Sequence, residues 1–246
     1  MKMQKRLIFL LFLLLAAFML CGRAGAERLP DETLMTYYDR SIFAGDSVIC
    51  LFRNYVKEIR NKDAGYFSGV KFYCAYSYQL QTASMEYVSA NSERVHLTYK
   101  GSKATLAEIM KKEKPAEVFI HAGLNEYIHK HIDRAENYID KILALRDKYS
   151  PDTQIYFLSL TPVTKKIGNP RQEGHDQYNE WLSQKCAETG AVFIDITTPV
   201  KSEDGFLPKT LSRDNEFHLN NKGNAIFAQT LLDFAQAQYE AGLWTP

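Results

Sequence analysis

The first strand-to-helix transition of the chain reads SIFAGDSVICLFRNYVKEI at residues 41–59. The apolar run Ser41–Ala44 predicts a buried strand. From Val48 onwards apolar residues recur close to every 3.6 positions, which predicts a helix. Gly45 stands between the two and permits a tight turn. The stretch therefore indicates a strand–turn–helix unit, the building block of an α/β fold.

The same alternation continues along the chain. Further strands are predicted at Val70–Tyr76, Glu117–Ala122, Gln154–Leu160 and Ala191–Ile196. Helical spacing is found at Val48–Ile59, Ala104–Lys112, Ile132–Lys148, Asp176–Thr189 and Asn221–Ala241. Continuous apolar strands that alternate with helices favour a parallel sheet covered on both faces. No repeat or linker divides the chain, so we predict one α/β/α domain over residues 27–246. In such a domain, ligands bind beyond the carboxyl ends of the strands.

Composition excludes several classes of protein. The 246 residues include 30 basic and 29 acidic side chains, a balance that gives no electrostatic signature for nucleic acid. Four cysteines without a CxxC pair argue against a disulfide scaffold, a zinc site or a redox site. Three of them, Cys50, Cys74 and Cys186, follow the N-terminal leader and are interpreted as small buried side chains.

The N-terminus has the three parts of a secretory signal peptide. Basic residues among the first six precede an apolar run from Leu7 to Cys21, and an Ala-x-Ala-like site ends at Ala26. The run is short for a membrane span, which needs about 20 residues. We therefore predict a signal peptide over residues 1–26 and a secreted or cell-envelope location. An uncleaved membrane anchor and a lipid-modified Cys21 are the alternatives.

The tripeptide Gly45-Asp46-Ser47 places a hydroxyl group at the start of the first long helix. Ser47 would lie among the unpaired backbone N–H groups of the helix N-terminus. Those groups and the helix dipole can stabilise an oxyanion that forms beside the serine. Asp and Ser also favour helix starts for structural reasons, so the tripeptide alone leaves both interpretations open.

Two later segments also place polar side chains at the ends of elements. The strand at 117–122 runs into Gly123, which turns the chain, and Asn125, whose amide is a suitable oxyanion donor; a structural turn is the alternative. Residues 212–220 read SRDNEFHLN and precede the last helix. His218 has acids two and four residues before it, which suits a general base held by a carboxylate. A solvated polar loop is the alternative there.

Together, Ser47, Asn125 and His218 occur in an order that resembles the sequence blocks of the SGNH (GDSL-like) hydrolases, from roughly Ser41 to Ala241. The resemblance implies a flavodoxin-like three-layer α/β/α sandwich with a five-stranded parallel sheet. It also implies ester hydrolysis without a metal or another cofactor. Ser47 would be the nucleophile and His218 its base. Asn125, the Ser47 backbone N–H and the Gly123 turn would form the oxyanion hole.

Two departures from the family pattern concern the acid and one oxyanion donor. The family usually has an acid three residues before the histidine, where this chain has Asn215. Asp214 or Glu216 could serve instead, and we favour Asp214. The second family block supplies a glycine backbone N–H, whereas this chain has TASM at 82–85. We assign that donor to Ser84.

Three other histidines were considered for chemistry. His121 ends a core strand, and we interpret it as a hydrogen-bonded core residue rather than a substrate contact. His129 and His131 do not have the HxxxH spacing of a helical zinc site. No metal site is predicted.

The leading hypothesis is an exported serine esterase that acts on a small-molecule or glycan ester, such as an acetyl group on a carbohydrate or cell-envelope polymer. The two departures favour, as the alternative, a surface binding protein of the same fold that has lost catalysis. A nucleotide or flavin binder fits less well because the first loop lacks a glycine-rich phosphate cradle. We expect no nucleic-acid partner, and contact with a membrane only through an uncleaved leader.

Overall fold

The computed structural model describes residues 27–246, so the predicted signal peptide lies outside the described residues. The strands are β1 (Ser41–Gly45), β2 (Lys71–Cys74), β3 (Leu97–Tyr99), β4 (Ser102–Ala104), β5 (Glu117–His121), β6 (Gln154–Leu158) and β7 (Val192–Ile194). The α-helices are α1 (Asp31–Met35), α2 (Ser47–Arg60), α3 (Leu80–Ala83), α4 (Leu106–Glu113), α5 (Ile132–Tyr149), α6 (Asn169–Thr189) and α7 (Asn221–Glu240). Short 3₁₀ helices cover Thr36–Tyr38, Ile128–Lys130 and Thr198–Val200.

Five strands form one parallel sheet in the order β2-β1-β5-β6-β7. The predicted five-stranded parallel sheet and three-layer fold are thereby confirmed. β1 lies between β2 and β5, so the loops that leave these three strands meet at one edge of the sheet. At this edge Ser47 follows β1 and Asn125 follows β5.

A separate antiparallel hairpin, β3–β4, was not predicted. Its turn holds Lys100 and Gly101 with φ of 49° and 84°. Positive φ at both central residues is the geometry of a tight hairpin turn. The flanking strands are short and partly exposed, so they lack the apolar run by which the other strands were found.

One face of the sheet is lined by stacked aromatic rings. The Phe43 and Phe119 centroids lie 4.5 Å apart, and those of Phe119 and Tyr156 lie 4.4 Å apart. Helices α2 and α7 cover this face with Phe52 and Phe227, whose centroids are 4.3 Å apart. Offset stacking of this kind adds about 0.5–1.5 kcal/mol per pair to the burial of the rings.

The opposite face is mainly aliphatic, because neighbouring residues of a strand point to opposite sides. The strands contribute Ile42, Ala44, Val118, Ile120, Ile155 and Phe157. Helices α4, α5 and α6 pack there with Leu106, Ile109, Met110, Ile139, Ile142 and Leu182. Burial on both faces explains why the strands read as continuous apolar runs.

The described chain divides into two compact units. Residues 38–230 contain the sheet and all of the predicted site residues. The second unit contains residues 27–37 and 231–246. Within it, Tyr37 packs edge-on against Phe234 with the ring centroids 5.9 Å apart. The expectation of a single domain stays a prediction.

The three cysteines of the described residues are free thiols. Cys50 and Cys186 are buried, as interpreted from the sequence, whereas Cys74 is only partly buried. In the same part of the chain, no helix combines the length and the hydrophobicity that crossing a membrane requires.

Helix α6 begins at Asn169, seven residues before the predicted start at Asp176. Its first two turns carry polar side chains that hydrogen-bond to loop backbone rather than an apolar stripe. Gln172 Oε1, for example, accepts the Val163 N–H at 2.8 Å. Periodicity could not find these turns because their buried face is polar.

Candidate active site

The turn after β1 places Ser47 at the first residue of α2. Asp46 caps this helix, and its Oδ1 accepts the Val48 N–H at 2.9 Å. A Cβ atom on Gly45 would lie 2.3 Å from the carbonyl oxygen of His121 on β5. Only glycine therefore lets the chain pass this close to its neighbour and present Ser47 at the sheet edge.

Ser47 forms a hydrogen-bonded chain with a histidine and an acid. Its Oγ lies 2.7 Å from His218 Nε2, although the two residues are 171 positions apart in the sequence. His218 Nδ1 lies 2.5 Å from Asp214 Oδ2. A hydroxyl, an imidazole and a carboxylate connected in this order are the parts of a nucleophile, a general base and the group that orients the base.

The structure brings Asp214, and not Glu216, to the histidine. Asn215 has φ 60°, a left-handed conformation that inserts an extra residue into the loop. Asp214 Oδ1 also accepts the N–H of Glu216 at 2.8 Å. The Glu216 carboxylate turns away and pairs with Lys166 Nζ at 2.9 Å. The displaced acid, which motivated the binding-protein alternative, therefore still reaches His218.

The environment of Asp214 favours its ionised form. Burial by itself would raise the pKa of this carboxyl group, but the hydrogen bonds from the His218 ring and the Glu216 N–H outweigh it. The net effect holds the pKa of Asp214 below its usual value. An ionised carboxylate is what stabilises an imidazolium during catalysis.

The loop after β6 fixes the segment that carries His218. Thr161 Oγ1 donates to the Phe217 carbonyl at 3.0 Å. Thr164 donates from Oγ1 to the Asn215 carbonyl and from its backbone N–H to the Glu216 carbonyl, both at 2.7 Å. The backbone immediately before the imidazole is thus held at three consecutive carbonyl groups.

Helix α6 in turn fixes that loop through buried side chains. His175 Nδ1 donates to the Thr161 carbonyl at 2.9 Å. The Asn179 amide bonds both the N–H and the carbonyl of Leu160, at 2.8 and 3.1 Å. These positioning residues were not predicted: His175 lies before the predicted start of the helix, and Asn179 is a polar residue inside it.

Asn125 lies across the end of β1. Its Nδ2 donates to the Tyr78 carbonyl at 3.0 Å, which joins the loop after β5 to the loop after β2. Because β1 runs between these two strands, the bond spans the edge where Ser47 stands. One amide N–H is used by Tyr78, and the second is left to donate to an oxyanion. Glu126 Oε1 makes a parallel link by accepting the Leu80 N–H at 2.5 Å.

Gly123 makes the bend that brings Asn125 back over the sheet. Its φ is 128°, and a Cβ atom there would lie 2.5 Å from Ile128 Cγ2. The Gly123 carbonyl accepts the Ile128 N–H at 3.0 Å, which closes the turn. Burial raises the pKa of the neighbouring Glu126 despite its backbone hydrogen bonds.

The backbone N–H of Ser84 has a different partner from the one expected. It donates to the Leu80 carbonyl at 3.1 Å, and the Ser84 hydroxyl donates to the Gln81 carbonyl at 2.8 Å. An amide bonded inside α3 is not available to an oxyanion. The assignment of Ser84 as an oxyanion donor is therefore not retained.

Ser77 is the residue in this region that takes a glycine-like conformation. Its φ is 63°, in a turn that the Tyr78 N–H closes by donating to the Ala75 carbonyl at 3.1 Å. The Ala75 N–H donates to the Gly45 carbonyl at 3.0 Å, so the turn is anchored beside the start of the Gly45-Asp46-Ser47 turn. Sequence reasoning missed Ser77 because serine carries no signal for a left-handed backbone.

His121 is a core residue, in line with its interpretation from the sequence. Its side chain is fully buried, and Nδ1 lies 3.0 Å from Asp46 Oδ1. It supports the turn that presents Ser47 through its contact with Asp46. Within residues 27–246, no group of three or more histidine, cysteine or acidic side chains has the geometry of a metal site.

Replacing Asn125 by alanine should lower kcat for ester hydrolysis by about 10²- to 10³-fold, the usual cost of removing one oxyanion donor. The Asn125 amide stabilises the transition state and not the bound substrate, so KM should change much less than kcat. Steady-state kinetics on an aryl ester would check this. A kcat within about twofold of the parent value would contradict the role of Asn125.

Acidification should destabilise the fold through two buried histidines. Burial lowers the pKa of His175 to about 3 and that of His129 to about 4, below the ordinary value of about 6.5. At a pH between the lowered pKa of each buried histidine and its ordinary pKa, the unfolded chain binds a proton that the folded chain excludes. The free energy of unfolding therefore falls as the pH decreases, by about 1.4 kcal/mol per pH unit for each histidine.

Denaturant unfolding between pH 7 and about pH 4.5 would measure this slope. The His129→Gln variant should show a shallower dependence, because one of the two excluded protons no longer contributes. An unchanged slope in that variant would contradict the assignment.

Comparison with known proteins places the chain in a family. The model of the GDSL-like lipase/acylhydrolase family matches residues 43–226, which include Ser47, Asn125 and His218. The chain belongs to this family. It is therefore an ester-hydrolysing enzyme. No curated protein matches it in sequence.

Solved structures share the fold of this GDSL-like acylhydrolase. A GDSL-like lipase from Bacteroides thetaiotaomicron has 11% identity and a TM-score of 0.58, over 87% of this chain and 93% of that one. An acetylxylan esterase from Geobacillus stearothermophilus has 15% identity and a TM-score of 0.56, over 79% and 93%. At these identities the likeness shows the fold alone.

Proposed function

We propose that the protein is an exported serine esterase that removes small acyl groups, such as acetyl, from a carbohydrate or cell-envelope polymer. The observation that carries the catalytic part is the hydrogen-bonded chain of Ser47, His218 and Asp214. Each member is bonded in the order that proton transfer requires.

In the first half-reaction, the Ser47 hydroxyl attacks the ester carbonyl while His218 Nε2 takes its proton. The carbonyl oxygen becomes an oxyanion, which accepts hydrogen bonds from Asn125 Nδ2 and the Ser47 backbone N–H. We assign the third donor to the backbone N–H of Ser77 in place of Ser84. Collapse of the tetrahedral intermediate passes the proton from His218 to the leaving alcohol and leaves an acyl-enzyme.

In the second half-reaction, His218 takes a proton from water, which attacks the acyl-enzyme carbonyl. The oxyanion donors act again, and the proton returns to Ser47 as the acid product leaves. Throughout both steps Asp214 accepts the Nδ1–H of His218, so that the imidazole keeps the tautomer and orientation in which Nε2 acts as the base.

Two observations support the choice of substrate and location. The similarity to an acetylxylan esterase favours a short acyl group on a glycan. The leader at residues 1–26 favours export, because it combines a basic start, an apolar run and a small-residue cleavage site. A glycan or envelope ester would then be encountered outside the cytoplasm.

The substrate proposal is tested with aryl esters of increasing acyl length, acetylated xylan and O-acetylated peptidoglycan. We expect the acetyl ester to give the highest kcat/KM and at least one polymer to release acetate. A preference for octanoyl esters would contradict the small-acyl proposal. N-terminal sequencing of the protein recovered from the native host's extracytoplasmic fraction should begin at Glu27, and recovery only from the cytoplasm would contradict export.

A further inference from the structure

Arg171, in the first turn of α6, lies beside the catalytic histidine. Its guanidinium carbon is 4.5 Å from the centroid of the Tyr127 ring and 5.0 Å from that of the Phe217 ring. The Phe217 ring is in turn 4.6 Å from the ring of His218. A single aromatic side chain therefore separates this cation from the catalytic imidazole.

The guanidinium is held in place by a neutral histidine. Arg171 Nε donates to His175 Nε2 at 3.4 Å, while His175 Nδ1 donates to the Thr161 carbonyl. Burial keeps the pKa of His175 low, at about 3, so the ring accepts without carrying charge. The contact occupies one of the five N–H donors of the guanidinium and leaves the four N–H groups of the terminal nitrogens to a ligand.

None of the described residues supplies a carboxylate that pairs with Arg171. Two acidic side chains of the neighbouring segments are bonded to lysines: Asp176 to Lys201 and Glu216 to Lys166. Arginine keeps its charge at any accessible pH. The site therefore presents a permanent, partly buried positive charge without a counter-charge.

The aromatic ring that contacts Arg171 is exposed to solvent. Tyr127 is 46% exposed, although it stacks on Arg171, and Lys130 Nζ lies 5.4 Å from the same ring. Two cations around one exposed ring suit an anion that an arginine can bind through two parallel hydrogen bonds.

We propose that Arg171 binds an anionic group, a carboxylate or a phosphate, carried by the ester substrate. The proposal rests on the proposed esterase function and names the substrate class: an ester that is anionic close to the scissile bond. The anionic group can belong to the acyl part or to the alcohol part, and the experiment distinguishes the two.

The kinetic test compares matched charged and neutral esters. One pair places the charge on the alcohol part: anionic 3-carboxyphenyl acetate and its neutral methyl ester. The other pair places it on the acyl part: anionic monophenyl succinate and neutral phenyl pentanoate. The Arg171→Gln variant should lower kcat/KM for the anionic member of one pair by about 10- to 100-fold and leave the neutral esters within about twofold. Arg171→Lys should lower kcat/KM for the same anionic ester by less than Arg171→Gln does, because lysine keeps the positive charge but lacks the planar pair of N–H donors of arginine.

A matched control removes the same charge elsewhere. Arg40 precedes β1 at the opposite edge of the sheet, and Arg40→Gln should not change the ratio of anionic to neutral rates. Equal losses on neutral and anionic esters in Arg171→Gln would show a purely structural role and overturn the proposal. An unchanged rate on both anionic esters would also overturn it.

A binding measurement separates this proposal from the esterase proposal. Calorimetry would compare 3-carboxyphenyl acetate and its methyl ester on the Ser47→Ala protein, with and without Arg171→Gln. We expect tighter binding of the carboxylate and its loss in the double variant, even if the parent protein proves to hydrolyse no ester. Equal binding of the two esters to the Ser47→Ala protein would overturn the role of Arg171 independently of turnover.

Discussion

Replacing Ser47 by alanine should abolish ester hydrolysis, with a loss of about 10⁵- to 10⁶-fold in kcat. The change removes the only atom of the hydrogen-bonded chain that can form the acyl-enzyme. His218 Nε2 would then have only water as a partner, and the remaining rate would come from binding and the oxyanion donors. Rates on phenyl acetate would be measured under single-turnover and steady-state conditions.

Two controls make the Ser47 result specific. Ser84→Ala removes a hydroxyl that donates only to the Gln81 carbonyl, so its kcat should stay within about twofold of the parent. Thermal unfolding of Ser47→Ala should be nearly unchanged, because the lost hydrogen bond is solvent-accessible at the His218 side. Comparable hydrolysis by the parent and Ser47→Ala would remove Ser47 from the mechanism.

Replacing Asp214 by asparagine should lower kcat by about 10³- to 10⁴-fold. The amide lacks the charge that stabilises the imidazolium, and its NH₂ group favours the histidine tautomer with the proton on the wrong nitrogen. Asp214 Oδ1 also accepts the Glu216 N–H, so the exchange keeps an oxygen acceptor for the loop. The parent and the variant would be compared across pH to separate a lost rate from a shifted profile.

Glu216→Gln is the matched control, two residues along the same loop. It removes a carboxylate whose partner is Lys166, not His218, and should change kcat by no more than about twofold. The opposite ranking, with Glu216→Gln inactive and Asp214→Asn active, would show that the loop rearranges so that Glu216, the acid closer to His218 in the sequence, orients the histidine.

Much of the fold follows from the sequence because the strands that matter are buried on both faces. The run Glu117–Ala122 was predicted almost to its observed bounds, and its neighbours were found in the same way. Elements whose buried face is polar were not predicted. The first turns of α6 were missed because Gln172 and His175 bury polar atoms against loop backbone. These turns lack the apolar stripe from which the other helices were predicted.

The site was predictable where chemistry depends on residue type and not where it depends on backbone conformation. Ser47 and His218 are identified by order along the chain, and the structure places them in contact. Asp214 was favoured over Glu216 from the sequence, and the left-handed backbone at Asn215 accompanies the contact of Asp214 with His218. Ser77 was missed because serine gives no signal for its left-handed backbone. Arg171 was missed because its neighbours come from three separate segments of the chain.

The most direct test of the account is covalent labelling of the folded protein with a fluorophosphonate, followed by peptide mass spectrometry. We expect one phosphonyl group per chain on the peptide that contains Ser47, and none in Ser47→Ala. We also expect labelling slowed by about 10³-fold or more in His218→Ala, because the hydroxyl would lose its base. Absence of labelling in the native enzyme, or modification of a different residue, would contradict Ser47 as the nucleophile.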